Sequence, residues 1–355
     1  MKTSLILICS GLLAFLIISC EKDNAPEEKS SGYSRGIYVV NEGAYNTNTG
    51  SISFVNEAGT VIVNDIFNAV NGRPLGDIAQ SFSIVNDSLG IIVVNHSARL
   101  EIVRLATFQT IHAPVDVDYP RYFLQVDDDK GYISSGNLAG RIYILDLNNY
   151  RISDSIDVGY GPEVMVRVNN YVYVANSGGY SSDSTLSVID INLQKVVDTI
   201  FVGQVPVDMS LDDENNLWVY CKGYTNYTDF ETDSYLMKIS TSTRQVQWQA
   251  KVGKANEYLA TPARCAISPE GDKLYYLRTE GIYSLDTGNP SISGQPIIEG
   301  DFYGLEVHPV NGRIYGFEAL GFSGNGMMKV YETNGTLFAQ GMVGIGPSSA
   351  VFNVQ

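Results

Sequence analysis

Basic residues are scarce in this chain of 355 residues. Lysine and arginine number 23 against 39 aspartates and glutamates, giving a formal charge of −16 and a pI near 4.5. Such a balance disfavours a general nucleic-acid binder, which needs a basic surface for the phosphate backbone. It still permits a local basic spot. Charged residues of both signs make up 17%, below the usual quarter. Histidine occurs three times, as His96, His112 and His308. Cysteine occurs four times, with no CxxC pair and no His/Cys spacing suited to a metal. The motifs of serine hydrolases, zincins and phosphate loops are missing as well. Catalysis and metal binding therefore have little support. Outside the N-terminus no long stretch carries the apolar spacing of a helix.

The chain has plenty of tyrosine (23) and glycine (34). Tyr, Val and Ile suit strands, while Gly, Asn and Asp suit turns. They are arranged in a repeated phrase. Tyr171-Val172-Tyr173-Val174-Ala175-Asn176 leads to Leu186-Ser187-Val188-Ile189-Asp190 and then to Val202-Gly203. Gly131-Tyr132-Ile133-Ser134, Arg141 to Asp146 and Val158-Gly159 say the same. The two Val-Gly pairs lie about 44 residues apart, a period that points to a β-propeller built of short strands. First strands start at Pro-containing segments: Tyr119-Pro120-Arg121, Gly161-Pro162-Glu163, Val205-Pro206-Val207-Asp208 and Thr261-Pro262-Ala263-Arg264. Others are expected near Gln80 and at Phe302-Tyr303-Gly304-Leu305.

The two ends break the phase. The domain opens at Gly36 to Asn41, which matches a second strand. It finishes with Pro347 to Val354, which matches a first strand. The C-terminal strand is therefore expected to complete the N-terminal blade, removing open edges. The expectation is an all-β, seven-bladed propeller over residues 36–355 with four-stranded antiparallel blades.

The first residues are not part of this fold. Residues 1–19 have a short basic start and an apolar run, the pattern of a secretory signal. Their ending, Leu16-Ile17-Ile18-Ser19-Cys20, resembles the bacterial lipobox, which implies that Cys20 becomes the lipidated first residue. Residues 20–35 are polar and Pro-containing and read as a flexible tether. Cys20-Glu21-Lys22-Asp23 also resembles the acidic export tags of some outer-surface lipoproteins. An outer-membrane, lipid-anchored protein facing outside is expected. Cys221 and Cys265 are expected to be buried free thiols.

Strand alternation places the second-to-third turns and the blade links on one face of a propeller. On that face the loops are long and aromatic. The candidate ligand-binding residues are Tyr45, Arg73, His96, Arg99, Tyr119, Arg121, Tyr160, Asn176, Tyr180, Tyr224, Tyr227, Tyr258, Phe302, Tyr303 and Phe322. Tyrosine joins a large apolar body to a polar tip, which suits a large amphipathic ligand. The opposite-face turns, among them Asp127 to Gly131, Asp212 to Asn216 and Pro269 to Lys273, are acidic. Turn chemistry explains them better than Ca²⁺ does.

Tyr173-Val174-Ala175-Asn176 with Ser187-Val188-Ile189-Asp190 resembles the YVTN, or YncE-like, propeller repeat. Tyr38-Val39-Val40-Asn41-Glu42-Gly43, Gly50-Ser51-Ile52-Ser53 and Asn71 to Gln80 resemble a group of surface lipoproteins that includes the BtuG-type proteins. The resemblance implies capture of cobalamin, or a related corrinoid, as a ligand and not as a catalytic cofactor. It also implies transfer to a TonB-dependent outer-membrane transporter, with the protein a monomer or in complex with that transporter. A surface adaptor for a glycan or a protein, in another uptake system, is the alternative. No residue-by-residue ligand motif is carried over.

Overall fold

In the computed structural model, residues 32–258 and 261–354 are described. The signal segment, Cys20 and most of the expected tether lie outside the described residues. Strands Gly36–Asn41, Ser51–Asn56 and Ile62–Val63 form blade 1 together with Pro347–Asn353. Six further four-stranded antiparallel sheets follow in sequence order, blades 2 to 7. The C-terminal strand pairs along Gly36–Asn41, with Ile37 opposite Phe352 and Tyr38 opposite Val351. The ring closes as the sequence leads one to expect.

The Tyr-Val-Tyr-Val phrase follows from where the second strands lie. Their side chains alternate between the two faces of a blade. Val172 and Val174 pack toward blade 3, while Tyr173 and Ala175 pack toward blade 5. Both faces are covered, so every position must be apolar or hydrogen-bonded. The core is accordingly divided into seven clusters, one between each pair of neighbouring blades. The seventh joins Ile37 and Val39 of blade 1 to Phe317 and Val330 of blade 7. Fourth strands are the outer edge and alternate with solvent, as in Lys195–Phe201.

The innermost strands carry a recurrent irregularity. Their register shifts between Ala79 and Ser81, Pro120 and Phe123, Pro162 and Met165, and Pro206 and Asp208. A β-bulge sets two residues against one and re-aims side chains. Here it turns consecutive residues, such as Arg121 and Tyr122, toward the central bore. Proline at a strand start is tolerated because its missing N–H faces no partner strand.

Three details differ from the sequence expectation. The innermost strand of blade 6 begins at Cys265, after the Pro-containing segment expected to open it, and that of blade 7 begins at Gly304, inside its expected segment but past Phe302 and Tyr303. A one-turn helix, Ile66–Asn71, sits in the link between blades 1 and 2. It is too short for a 3.6-residue pattern to show. Its apolar Ile66 and Phe67 plug the core between those blades.

The opposite-face acidic turn at Asp212 is structural. The buried Asp212 carboxylate accepts from Trp218 Nε1 at 3.1 Å and lies 3.2 Å from Lys238 Nζ. Cys221 and Cys265 are buried free thiols. Burial pushes the Cys221 thiol up to about 12, so it stays protonated and inert.

Deleting residues 346–355 would strip blade 1 of its innermost strand and expose the edge of Gly36–Asn41. The expected outcome is aggregation on gel filtration and loss of a single cooperative thermal transition. A monomeric, cooperatively unfolding product would show that closure is dispensable.

Candidate functional site

The site is built where the blade links and second-to-third loops converge. Exposed aromatic rings form its rim. Tyr45 stands 65% exposed, with its ring 4.6 Å from that of His96. His96 Nε2 lies 3.0 Å from Asn46 Oδ1. Asp77 anchors this corner, accepting from the Asn46 N–H at 2.8 Å. Tyr119 and Tyr180 meet edge to face, with hydroxyls 2.9 Å apart and Tyr180 77% exposed. The Tyr119 bond holds the Tyr180 phenol above its ordinary value, with Tyr45 adding to the effect. Tyr160 is exposed, and its N–H donates to Asp183 Oδ2 at 2.9 Å. Asp183 Oδ1 also accepts from Ser184 N and Thr185 Oγ1, so one carboxylate fixes this loop. Further round, Asn226 Oδ1 accepts from Thr228, Asp229 and Phe230 N–H groups. That turn presents Tyr227 and Phe230 to solvent, with half-buried Tyr224 beneath them, 6.3 Å from the Phe230 ring.

Inside the rim opens a polar bore. Arg121 Nε donates to Glu163 Oε2 at 2.8 Å, and Arg121 Nη1 donates to Gln80 Oε1 at 2.5 Å. Tyr303 donates its hydroxyl to Glu42 at 2.9 Å. Arg264 reaches across the ring from blade 6 to Tyr122 of blade 3, Nη1 to Oη 3.1 Å. This bar separates two chambers that share Gln80, Tyr122 and Arg264. The upper one, about 300 Å³, faces the loops, and the lower one, about 550 Å³, continues along the inner strands. Asp208 in the lower chamber accepts from the Cys265 N–H at 3.0 Å. Glu306 stands beside it. Its side chain keeps some contact with the bore but is otherwise enclosed. Loss of hydration, then the charge of Asp208, raises its pKa from the ordinary 4.5 to about 8, while Arg264 pulls the other way.

The structure corrects the placement of several candidates. Asn176 is fully buried and donates to Thr185 Oγ1 and Ser187 Oγ within its own blade. Phe302 is core, packed at the junction of blades 6 and 7. Arg73 and Arg99 face a buried carboxylate, Glu101. Arg73 holds it bidentately at 2.8 and 2.7 Å, and Arg99 Nε is 3.1 Å away. These two guanidiniums brace the link before blade 2. Tyr258 is also buried, bonded to Tyr220 Oη at 2.8 Å, although its ring lines the upper chamber. Phe322 packs on Tyr303 with ring centroids 5.0 Å apart.

Sequence reasoning missed most of the bore: Glu42, Gln80, Tyr122, Glu163, Asp208, Lys222, Arg264 and Glu306. A signal existed. Charged residues one or two places after a strand-opening proline, as at Glu163 and Asp208, have no reason to sit in an apolar strand, and Arg264 follows Pro262 in the same way just before its strand. Among the described residues, no group of three or more His, Cys, Asp or Glu is placed to hold a metal ion.

Residues 35–340 match the sequence profile of DUF5074, described as a domain of unknown function. The chain belongs to that family. No curated protein matches the chain. Among solved structures it is similar to a quinonprotein alcohol dehydrogenase-like protein from Bacteroides thetaiotaomicron, with 17% identity and a TM-score of 0.65 over 90% of this chain and 79% of that one. It is also similar to Kuenenia stuttgartiensis hydrazine synthase, at 14% identity and TM-score 0.63, covering 76% and 88% of the two chains. Apo AztD from Citrobacter koseri has 10% identity and TM-score 0.56, covering 89% and 97%. At these identities the likeness is one of fold.

Glu306 generates a pH prediction. Its folded pKa lies above the unfolded one, so the native state holds a proton that the unfolded chain releases. That contribution is fully present below pH 4.5 and is lost as pH rises to about 8. Glu306→Gln, which cannot ionise, should flatten the fall in melting temperature across this window. An unchanged slope would contradict the assignment.

Proposed function

We propose that the protein captures cobalamin or a related corrinoid at the loop face and passes it to a TonB-dependent outer-membrane transporter. The observation that carries this reading is the group of exposed tyrosines, Tyr45, Tyr119, Tyr160 and Tyr180, on the loop face beside a polar opening. A corrinoid offers a broad apolar ring surface edged with amides. Tyrosine faces stack on the first, and hydroxyls and loop amides bond to the second. The resemblance of Tyr38 to Gly43 and Asn71 to Gln80 to the BtuG-type group supports the same ligand class. The lipobox-like ending at Cys20 supports a lipid anchor on the outer membrane, where such a hand-off takes place. The process is non-covalent capture and needs no catalytic group.

A glycan-binding adaptor is the second reading. Tyr227 and Phe230, 75% and 54% exposed, stand on a loop of their own and offer a flat apolar face suited to a sugar ring.

Calorimetry of the mature chain with cyanocobalamin separates the two. Binding should weaken at least about tenfold, ~1.4 kcal/mol, in the double variant Tyr119→Ala, Tyr180→Ala. Its melting temperature should hold, because both rings are on the surface. Absence of heat and of a co-eluting red colour would sink the corrinoid reading. Weakening by Tyr227→Ala alone, with an oligosaccharide as titrant, would favour the second.

A further inference from the structure

The upper chamber of the bore leaves cationic groups with hydrogen bonds unmade. Three cations line it, Arg121, Lys222 and Arg264, with the carboxylates Glu42 and Glu163, and Asp208 acts on Arg264 from the lower chamber. Glu163 is taken by Arg121, at 2.8 Å. Glu42 accepts from the Tyr303 hydroxyl at 2.9 Å, and burial raises its pKa toward the neutral form. Arg264 has a phenol, Tyr122 Oη, as its side-chain hydrogen-bond partner, and its buried Nε has none. The Lys222 ammonium forms no close hydrogen bond or ion pair among the described residues; its loss of hydration lowers its pKa, while the charge of Glu163 pulls the other way. Buried charges are ordinarily paired, and their attraction for a counter-charge grows as water is excluded.

We propose that this chamber is a binding site for an oxyanion, a phosphate or carboxylate group carried by a small ligand, held by Lys222 and Arg264. The Arg264 fork suits a planar or tetrahedral oxyanion. Lys222 supplies a compact charge from the neighbouring blade. At about 300 Å³ the space holds the anion with a small organic body, packed against Tyr258 and Pro262. The site lies beneath the aromatic rim, and its argument rests on its own lining, not on what the rim binds.

The test is calorimetry of the full mature chain at low ionic strength, with inorganic phosphate in one arm and acetate in the other. Binding of either anion at a Kd of about 1 mM or tighter is expected, and the stronger arm names the group. Lys222→Gln removes no hydrogen bond and should fold normally while weakening binding about tenfold or more. Arg264→Gln is the second variant, with circular dichroism as the check on folding. No binding of either anion at concentrations tenfold higher would overturn the proposal. So would equal binding by wild type and both folded variants. Phosphate or acetate binding without corrinoid binding would leave this site standing and remove only the earlier reading.

Discussion

Pairing of Gly36–Asn41 with Pro347–Asn353 is the contact on which the rest of the molecule rests. A blade is a small sheet whose second and third strands are apolar on both faces. It cannot bury itself; it needs a neighbour on each side. Seven clusters serve seven junctions, so the ring has no spare surface and no terminal cap. Without the C-terminal strand, Tyr38 and Val40 would front an unpaired edge, and such edges recruit other chains. The closure joins the most distant parts of the sequence. Its loop-closure entropy must be met before its contacts form, which makes it a late and slow event in folding.

Closure also dictates what lies at the centre. Seven innermost strands converge on an axis with room for side chains but not for another layer of sheet. Regular alternation would give each strand one row of residues facing the bore. The bulges at Pro120, Pro162 and Pro206 give two adjacent residues instead. They supply the space with Arg121 and Tyr122, Glu163 and Val164, Val207 and Asp208. The result is a charged column in a protein with few charges. The bar from Arg264 to Tyr122 then ties blade 6 to blade 3 and divides that column.

The scaffold was legible because its physics is local and repeated. Tyr171 to Asn176 and its copies show double-sided burial, and the phase mismatch between Gly36 and Pro347 shows the closure. The aromatic rim was legible in part. Tyr45, Tyr119, Tyr160 and Tyr180 sit on the predicted face and are exposed. Asn176, Phe302, Arg73 and Arg99 come from the same face yet turn inward. Their direction depends on partners that the local pattern does not reveal: Glu101 lies 28 residues from Arg73, and Ser187 sits on the strand beside Asn176. The bore was hidden for a related reason. A bulge adds one residue to a strand, and nothing in the composition of Pro120-Arg121-Tyr122 marks which residue is the extra one.

The two faces treat their polar groups differently, and that difference is the better guide to function. On the opposite face charges are matched internally. Asp212 takes Trp218 and Lys238, Arg313 takes Glu332 at 3.0 Å, and His308 Nδ1 accepts from two turn N–H groups. Buried polar atoms without a hydrogen-bond partner gather at the loop-face ends of the strands, Asn41 Oδ1, Asp77 Oδ1, Asn176 Oδ1, Arg264 Nε and Arg278 Nε, with Tyr132 Oη near the opposite end. Each such group costs about 1–3 kcal/mol relative to a satisfied one. The loop face pairs its charges too, as Arg121 with Glu163 and Arg73 with Glu101, but leaves more buried hydrogen-bonding atoms open, where the aromatic rim also lies. Stability alone would favour the same pairing at both ends. The asymmetry therefore reads as a property of a binding face, with stacking surface outside and unmade hydrogen bonds within.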